Sequence, residues 1–127
     1  MMNTPADCKY TKSHEWVRFT GENLARVGLS GFAQSSLGDI VFVNLPQPGD
    51  EVHAGQSLGD VESVKAVSEI LSPVSGTVSA VNEELLDAPE QINSDPYGSW
   101  LVEISGIVET EELLDAEAYE EFCEEEE

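Results

Sequence analysis

Lys65 is the residue of this chain whose sequence surroundings most strongly indicate a chemical role. It lies at the centre of GDVESVKAVSEILS at 59–72, whose residues mirror each other about a point between Lys65 and Ala66. This order predicts a two-residue β-hairpin turn, because a tight turn places residues equidistant from it opposite each other. The lysine amine would then lie at the tip of the hairpin. The alternative is an ordinary surface lysine that offsets neighbouring glutamates.

Two features of the predicted hairpin are unfavourable for folding alone. The predicted register has four mirror pairs, namely Val64 with Val67, Ser63 with Ser68, Glu62 with Glu69, and Val61 with Ile70. The third pair sets like charges across the ladder, and Lys-Ala is not a preferred turn pair. Alternation along the strands places Val64 and Val67, which are the valines nearest the turn, on one face with the two glutamates. We therefore expect a partner to recognise a mixed apolar and acidic face beside Lys65.

A helix over the same residues is the alternative to the hairpin. Val61, Val64, Val67 and Ile70 recur every three residues, and Asp60 could cap a helix there. Residues at a strict spacing of three spread around a helix instead of forming one stripe, and β-branched residues favour strands. The hairpin is the favoured prediction.

No other group of residues has the spacing of a catalytic or metal-binding site. The sequence contains no GxxxxGK[ST], GxSxG or HExxH motif. His14 and His53 are isolated from each other, and Cys8 and Cys123 lie near opposite ends without CxxC spacing. Cys123 is surrounded by glutamates, which should make its thiol unreactive. These features predict a protein without a metal and without catalytic residues.

The charge of the chain restricts its partners. Five basic and 26 acidic residues in 127 give a formal charge of −21, which repels nucleic acid and anionic membranes. Protein partners should therefore offer basic surfaces. No apolar run is long enough to span a bilayer, and the first ten residues resemble neither a signal peptide nor an Arg-rich presequence. We expect a soluble protein of a bacterial cytoplasm or, if it is a trimmed eukaryotic protein, of the mitochondrial matrix.

Short strands, frequent glycines and a late helix predict a mainly β sandwich or flattened barrel with peripheral helices, formed by one domain over 1–127. Strands are predicted at 10–19, 24–29, 39–45, 51–54, 56–62, 67–72, 76–82 and 100–105, and short helices at 31–37, 83–86 and 89–92. Residues 39–45 should lie in the core. A C-terminal helix is expected from residue 110, and about 1–8 and 124–127 should be flexible.

Several separated segments carry a family resemblance. ESVKA followed by SPVSG resembles the lipoyl-attachment segment of the glycine cleavage system H protein family. YTKSHEWV at 10–17, the segment at 27–46, the glycine-punctuated segment at 49–66 and NSDPYGSWL at 93–101 are similar to the same family, in the same order. The resemblance implies the lipoyl-carrier sandwich as the fold.

The resemblance also implies the function of a carrier, not of an enzyme. Lys65 would hold lipoic acid in amide linkage, and the arm would shuttle the aminomethyl group of glycine between active sites. The implied partners are glycine decarboxylase (P protein), aminomethyltransferase (T protein) and dihydrolipoamide dehydrogenase (L protein). A lipoate ligase or octanoyltransferase would modify Lys65. We expect a monomer.

Further residues match functional positions of that family. Glu62 and Gly76 match positions that the lipoylating enzyme recognises. The positions that match the pocket for the loaded arm are Ser13, Glu15, Ala33, Ser36 and Glu69. Ser36 stands where some relatives have histidine, and PYGSW is one residue shorter than the segment common in the family. Glu15 and Glu69 are otherwise solvated acids.

Three alternatives to this function are considered. A biotinyl carrier typically has methionine before its lysine, where this chain has Val64. A lipoyl domain of a 2-oxoacid dehydrogenase typically has aspartate there, and it lacks the SHEWV and NSDPYG segments. The third alternative is a structural or lipoate-relay protein that keeps the fold and donates lipoate to other proteins.

Overall fold

The computed structural model describes residues 5–126 of the chain. The elements follow in the order β1 Lys9–Tyr10, β2 Glu15–Gly21, β3 Leu24–Leu29, α1 Gly31–Leu37, β4 Ile40–Asn44, β5 Glu51–Val52, β6 Ser57–Ser63, β7 Val67–Leu71, β8 Val74–Val81, α2 Glu84–Asp87, α3 Gln91–Ser94, β9 Val102–Thr110 and α4 Ala116–Glu126.

Two antiparallel sheets form the fold. One has six strands in the order β1-β2-β3-β9-β8-β5, and the other has three in the order β4-β6-β7. The main apolar cluster takes residues from both sheets, including Val27, Val61, Ile70, Val78 and Ile104. These side chains recur with the period of two that packs one face of a strand. The predicted mainly β sandwich with peripheral helices is confirmed.

A second cluster lies between β1, β2 and α4. Its buried members are Cys8, Tyr10, Trp16, Tyr119 and Cys123. Trp16 is fully buried, and its indole N–H donates to the carbonyl of Pro96 at 3.0 Å. A Cβ at Gly28 would lie 2.5 Å from the indole ring, so this position must be glycine. The cluster attaches the C-terminal helix to the six-stranded sheet.

The helix α1 agrees with the predicted span of 31–37. Oγ of Ser30 accepts a hydrogen bond from the amide of Ala33 at 3.1 Å, as an N-cap does. Gly38 follows the helix with φ of +84°, a conformation that glycine adopts without strain. Its amide donates to the carbonyl of Gln34 at 3.0 Å. Both ends of α1 thus have local caps.

The hairpin around Lys65 is present, but its predicted register is wrong. Glu62 lies opposite Val67 and Asp60 lies opposite Glu69, so Glu62 does not face Glu69. The turn is centred between Val64 and Lys65 instead of between Lys65 and Ala66. The pairings differ from the predicted ones by two residues, and each side chain therefore stays on its predicted face.

The prediction that residues 39–45 lie in the core is wrong for half of β4. Ile40 and Val43 are buried, whereas Val41 is 51% exposed and Phe42 is 48% exposed. The pairing with β6 shifts between Ile40 and Phe42, which turns two consecutive residues outward. Only one face of the three-stranded sheet packs on the core.

Several boundaries also differ from the predictions. The predicted strand at 10–19 is interrupted by a turn in which His14 has φ of +74°. Strand β8 begins at Val74, and β9 extends to Thr110. Helix α4 begins at Ala116 because Leu114 still exchanges backbone hydrogen bonds with Tyr10, at 2.7 and 2.8 Å.

Both predicted flexible ends, about 1–8 and 124–127, include residues that belong to packed elements of the structure. Cys8 is buried, with 1% of its surface exposed, because it joins the aromatic cluster. Helix α4 continues to Glu126 beyond the buried Cys123 and so includes most of the end that was predicted to be flexible. Residues 1–4 and 127 lie outside the described part of the chain.

Candidate functional site

The side chain of Ser63 shapes the turn that carries Lys65. Its Oγ accepts hydrogen bonds from the amides of Lys65 at 3.3 Å and Ala66 at 3.1 Å. The amide of Ser63 donates to the carbonyl of Ala66 at 2.8 Å. A serine hydroxyl that folds into its own turn replaces the glycine-dependent turns that short hairpins usually need. The turn is therefore ordered although neither of its central residues is a glycine.

The tip of the hairpin rests on the junction between α1 and β4. The amide of Val64 donates to the carbonyl of Asp39 at 3.1 Å. A Cβ at Gly38 would lie 3.6 Å from Cε of Lys65, so the lysine stem passes over this glycine. Lys65 is exposed, and the structure records no ion pair for it within residues 5–126. The backbone of the tip is held while the amine stays accessible.

An exposed apolar patch surrounds the lysine, and we call it the tip patch. Its members are Val41, Phe42, Val64 and Val67, which are 51%, 48%, 71% and 66% exposed. Phe42 and Val67 lie on either side of Glu62 in one cross-strand row. The next row contains Asp60 and Glu69. The predicted mixed apolar and acidic face is thus present, and it extends onto β4.

Glu15 is a buried carboxylate next to the hairpin. It is 1% exposed, and Oε1 accepts hydrogen bonds from Ser13 and, at 2.7 Å, from Thr11. Oε2 accepts the amide of Leu71 at 3.2 Å and so ties β2 to β7. Burial raises the pKa of Glu15 to about 6, and the hydrogen bonds from Ser13, Thr11 and Leu71 oppose this rise. Glu15 is therefore a structural link as well as a titratable group.

The other residues matched to the arm pocket lie on two elements. Ala33 and Ser36 are on α1, and Ser36 is exposed. Glu69 is exposed on the outer face of β7, whereas Glu15 is closed to solvent and reaches the backbone of the same strand. The structure thus pairs Ser13 with Glu15 directly, whereas Glu69 is exposed and Glu15 is buried.

Comparison with known proteins gives one consistent result. The family model described as glycine cleavage H-protein matches residues 8–126. The chain belongs to this family. The glycine cleavage system H protein of Lachnoclostridium phytofermentans is 60% identical over 117 residues, which are 92% of each chain. That of Acidobacterium capsulatum is 53% identical over 98% of each chain.

The fold of the H-protein family agrees as well. A crystal structure of a glycine cleavage system H protein from Mycobacterium marinum matches with a TM-score of 0.85 and 39% identity, covering 96% of this chain and 98% of that one. The family predicted from the separated motifs is therefore confirmed.

The two positions matched to recognition by the lipoylating enzyme have different surroundings. Glu62 is half-buried on β6, in the same row as two tip-patch residues. Gly76 lies in β8 of the other sheet, and a Cβ there would lie 2.6 Å from the carbonyl oxygen of Ser105. Close packing against β9 alone requires glycine at position 76.

Sequence reasoning missed several side chains that support the site. Thr11 and Asn93 fall in segments noted for the family resemblance, but no role was predicted for either. The hydroxyl of Tyr119 lies 2.7 Å from Nδ1 of His14 and 2.6 Å from Oγ of Ser30, so α4 is tied to the start of α1. Partners separated by 89 or 105 residues leave no local signal in the sequence.

The described residues form neither a metal-binding cluster nor a membrane-spanning helix. Within residues 5–126, no three histidine, cysteine or acidic side chains are placed to hold a metal ion. None of the helices in the described part of the chain is long and apolar enough to cross a membrane.

Proposed function

We propose that Lys65 of this H-protein family member carries lipoic acid through an amide bond to its Nζ. The observation that supports this is the geometry of the tip, where an exposed lysine, without an ion pair to any residue of 5–126, stands on a turn held by Ser63 and Asp39. Family membership makes the protein a carrier subunit of the glycine cleavage system and not itself a catalyst. The lipoyl group, when attached, supplies the disulfide that accepts the aminomethyl group derived from glycine.

The residues of the chain fit such a group. The amine of Lys65 can reach an activated acyl group because the residue is exposed and no carboxylate within residues 5–126 pairs with it, and its stem passes over Gly38. A flexible arm on a fixed base gives each docked enzyme a high local concentration of the reactive end. The ordered turn holds the attachment point of the arm, Lys65, in a fixed position.

The partners follow from this role. We propose that the glycine decarboxylase, the aminomethyltransferase and the dihydrolipoamide dehydrogenase each meet the arm in turn. A lipoate ligase or octanoyltransferase would modify Lys65. We propose a monomer in a bacterial cytoplasm, since the matched relatives named above are bacterial. The tip patch and the acidic residues beside it suit partners with apolar and basic surfaces.

The pocket and recognition residues remain part of the proposal. Ser13, Ala33, Ser36 and Glu69 would receive the returning arm, and Glu15 would act on the cationic amine through Ser13, to which it is hydrogen-bonded. Ser36 cannot supply the imidazole that some relatives have at this position. Glu62 and Gly76 would contribute to recognition by the lipoylating enzyme, Glu62 through its carboxylate and Gly76 through the close packing that it permits.

Intact-mass measurement tests the proposal. The chain and its Lys65→Arg variant are expressed with lipoate in a host that can lipoylate proteins, and modified peptides are mapped. We expect one lipoyl group on Lys65 and none on the variant, because arginine lacks the primary amine that attacks the activated acyl group. A biotin-sized mass, or no added mass on the wild-type chain, would contradict the proposal.

A further inference from the structure

The side-chain amide of Asn93 on α3 joins the end of α1 to the start of β4. Its Nδ2 donates to the carbonyl of Gly38 at 2.8 Å and to Oε1 of Gln34 at 2.9 Å. Its Oδ1 accepts the amide of Ile40 at 2.8 Å. The donor and the acceptor of one amide are thus both used at the junction between two elements.

The same junction supports the lysine tip. Asp39, whose carbonyl accepts the amide of Val64 at 3.1 Å, lies between the two residues whose backbone Asn93 holds. The stem of Lys65 passes over Gly38, one of those two residues. Any displacement of the segment 38–40 would therefore move the support of the turn.

We propose that Asn93 is a positioning residue for the modification of Lys65. By fixing the backbone on both sides of Asp39, it sets the direction in which the tip presents the lysine to the lipoylating enzyme. This inference rests on the proposed function of Lys65. Asn93 acts through the junction, and no step of acyl transfer involves its side chain.

If Asn93 only stabilised α3, its loss would have the same effect as any other substitution that weakens this helix. This helix is also held by Ile92, which is 1% exposed, and by Ser99, whose hydroxyl donates to the carbonyl of Gln91 at 2.9 Å. Loss of Asn93 should therefore leave α3 in place and release only the junction. Ser99→Ala is the matched control, because it weakens α3 without removing a hydrogen bond from segment 38–40.

The test compares the full-length chain with Asn93→Ala, Asn93→Asp and Ser99→Ala. Aspartate keeps the acceptor for the amide of Ile40 but replaces the donor with an oxygen that faces the carbonyl of Gly38, so it tests the donor half of the contact. A lipoate ligase modifies each protein below its thermal midpoint, and kcat and KM are measured. Amide hydrogen exchange of Ile40 and Val64 is followed on the same unmodified proteins.

We expect Asn93→Ala to raise KM for lipoylation about tenfold with a smaller change in kcat, because a smaller fraction of the molecules would then present Lys65 in the direction that the enzyme binds. Exchange at Ile40 and Val64 should become faster in Asn93→Ala and at least as fast in Asn93→Asp, because an aspartate oxygen would face the carbonyl of Gly38, and Ser99→Ala should behave as the wild type. A wild-type KM for Asn93→Ala, or an equal rise for Ser99→Ala, would overturn the inference. An unmodified wild-type chain would instead contradict the proposed function, and the inference with it.

Discussion

At the scale of single residues, Glu15 makes the stability of the folded protein depend on pH. Its carboxyl group is buried, and its pKa rises from 4.5 to about 6 because of that burial. A folded state that raises the pKa of an acid binds the proton more tightly than the unfolded state does. The protonated carboxyl group therefore stabilises the folded state. This stabilisation is fully present below about pH 4.5, and it is lost as the pH rises through about 6.

We predict that Glu15→Gln makes the free energy of unfolding less dependent on pH. Between pH 4.5 and 7 the variant should gain up to about 2 kcal/mol relative to the wild type, since one pKa unit corresponds to about 1.4 kcal/mol. Urea unfolding at both pH values measures this. Glu22→Gln removes one charge from an exposed turn and is the control. Equal pH dependence in the wild type and Glu15→Gln would contradict the assignment.

Glu62 tests recognition separately from stability. In the observed register it faces Val67 and not Glu69, so Glu62→Gln relieves no direct cross-strand repulsion. We predict that the free energy of unfolding changes by less than about 0.5 kcal/mol, as for most surface substitutions. Lipoylation should nevertheless become slower, because the lipoylating enzyme would lose its contact with the carboxylate. A variant that is modified as fast as the wild type would show that Glu62 is only a solvated residue.

At the scale of elements, the hairpin shows what local sequence can and cannot predict. Mirror symmetry predicts two arms and their buried faces, and both are correct for Val61 and Ile70. The register depends on a side chain that enters the turn, Ser63, and on a hydrogen bond to Asp39 from another element. Periodicity contains neither of these contacts, so the pairing could not be deduced from it.

Other elements were also predictable only where local contacts set their bounds. Helix α1 was predictable because Ser30 and Gly38 cap it locally. The start of α4 was not, because Leu114 pairs with Tyr10 more than 100 residues away. Pocket residues such as Ser13 and Glu15 could be proposed only from family resemblance. The exposed half of β4 results from an irregular pairing with β6 that an apolar run does not reveal.

The turn itself can be tested with Ser63→Ala. Removing the hydroxyl leaves the amides of Lys65 and Ala66 without their acceptor. We predict a loss of about 1 kcal/mol in the free energy of unfolding, the usual net value of a hydrogen bond. Exchange of both amides should become faster. Ser68→Ala, on the same hairpin, is the control, and equal effects of the two substitutions would contradict the role given to Ser63.

At the scale of the whole molecule, the charge of −21 should control how fast partners arrive. The acidic surface attracts basic enzymes over long distances, and salt screens this attraction. We predict that the association rate constant with the lipoylating enzyme falls roughly tenfold between low salt and about 0.5 M salt. The thermal midpoint, measured as the control, should not fall, because screening also reduces self-repulsion. A rate that is independent of salt would contradict electrostatic steering.

The carrier role of Lys65 is tested most directly by the exchange of labelled bicarbonate into glycine in the presence of glycine decarboxylase. The lipoylated wild-type protein should support this exchange, and Lys65→Arg should not, although its thermal midpoint stays within a few degrees of the wild type. Lys12→Arg changes an exposed lysine on another surface and should exchange normally. Exchange by Lys65→Arg at the wild-type rate would contradict the assignment of Lys65 as the site of the arm.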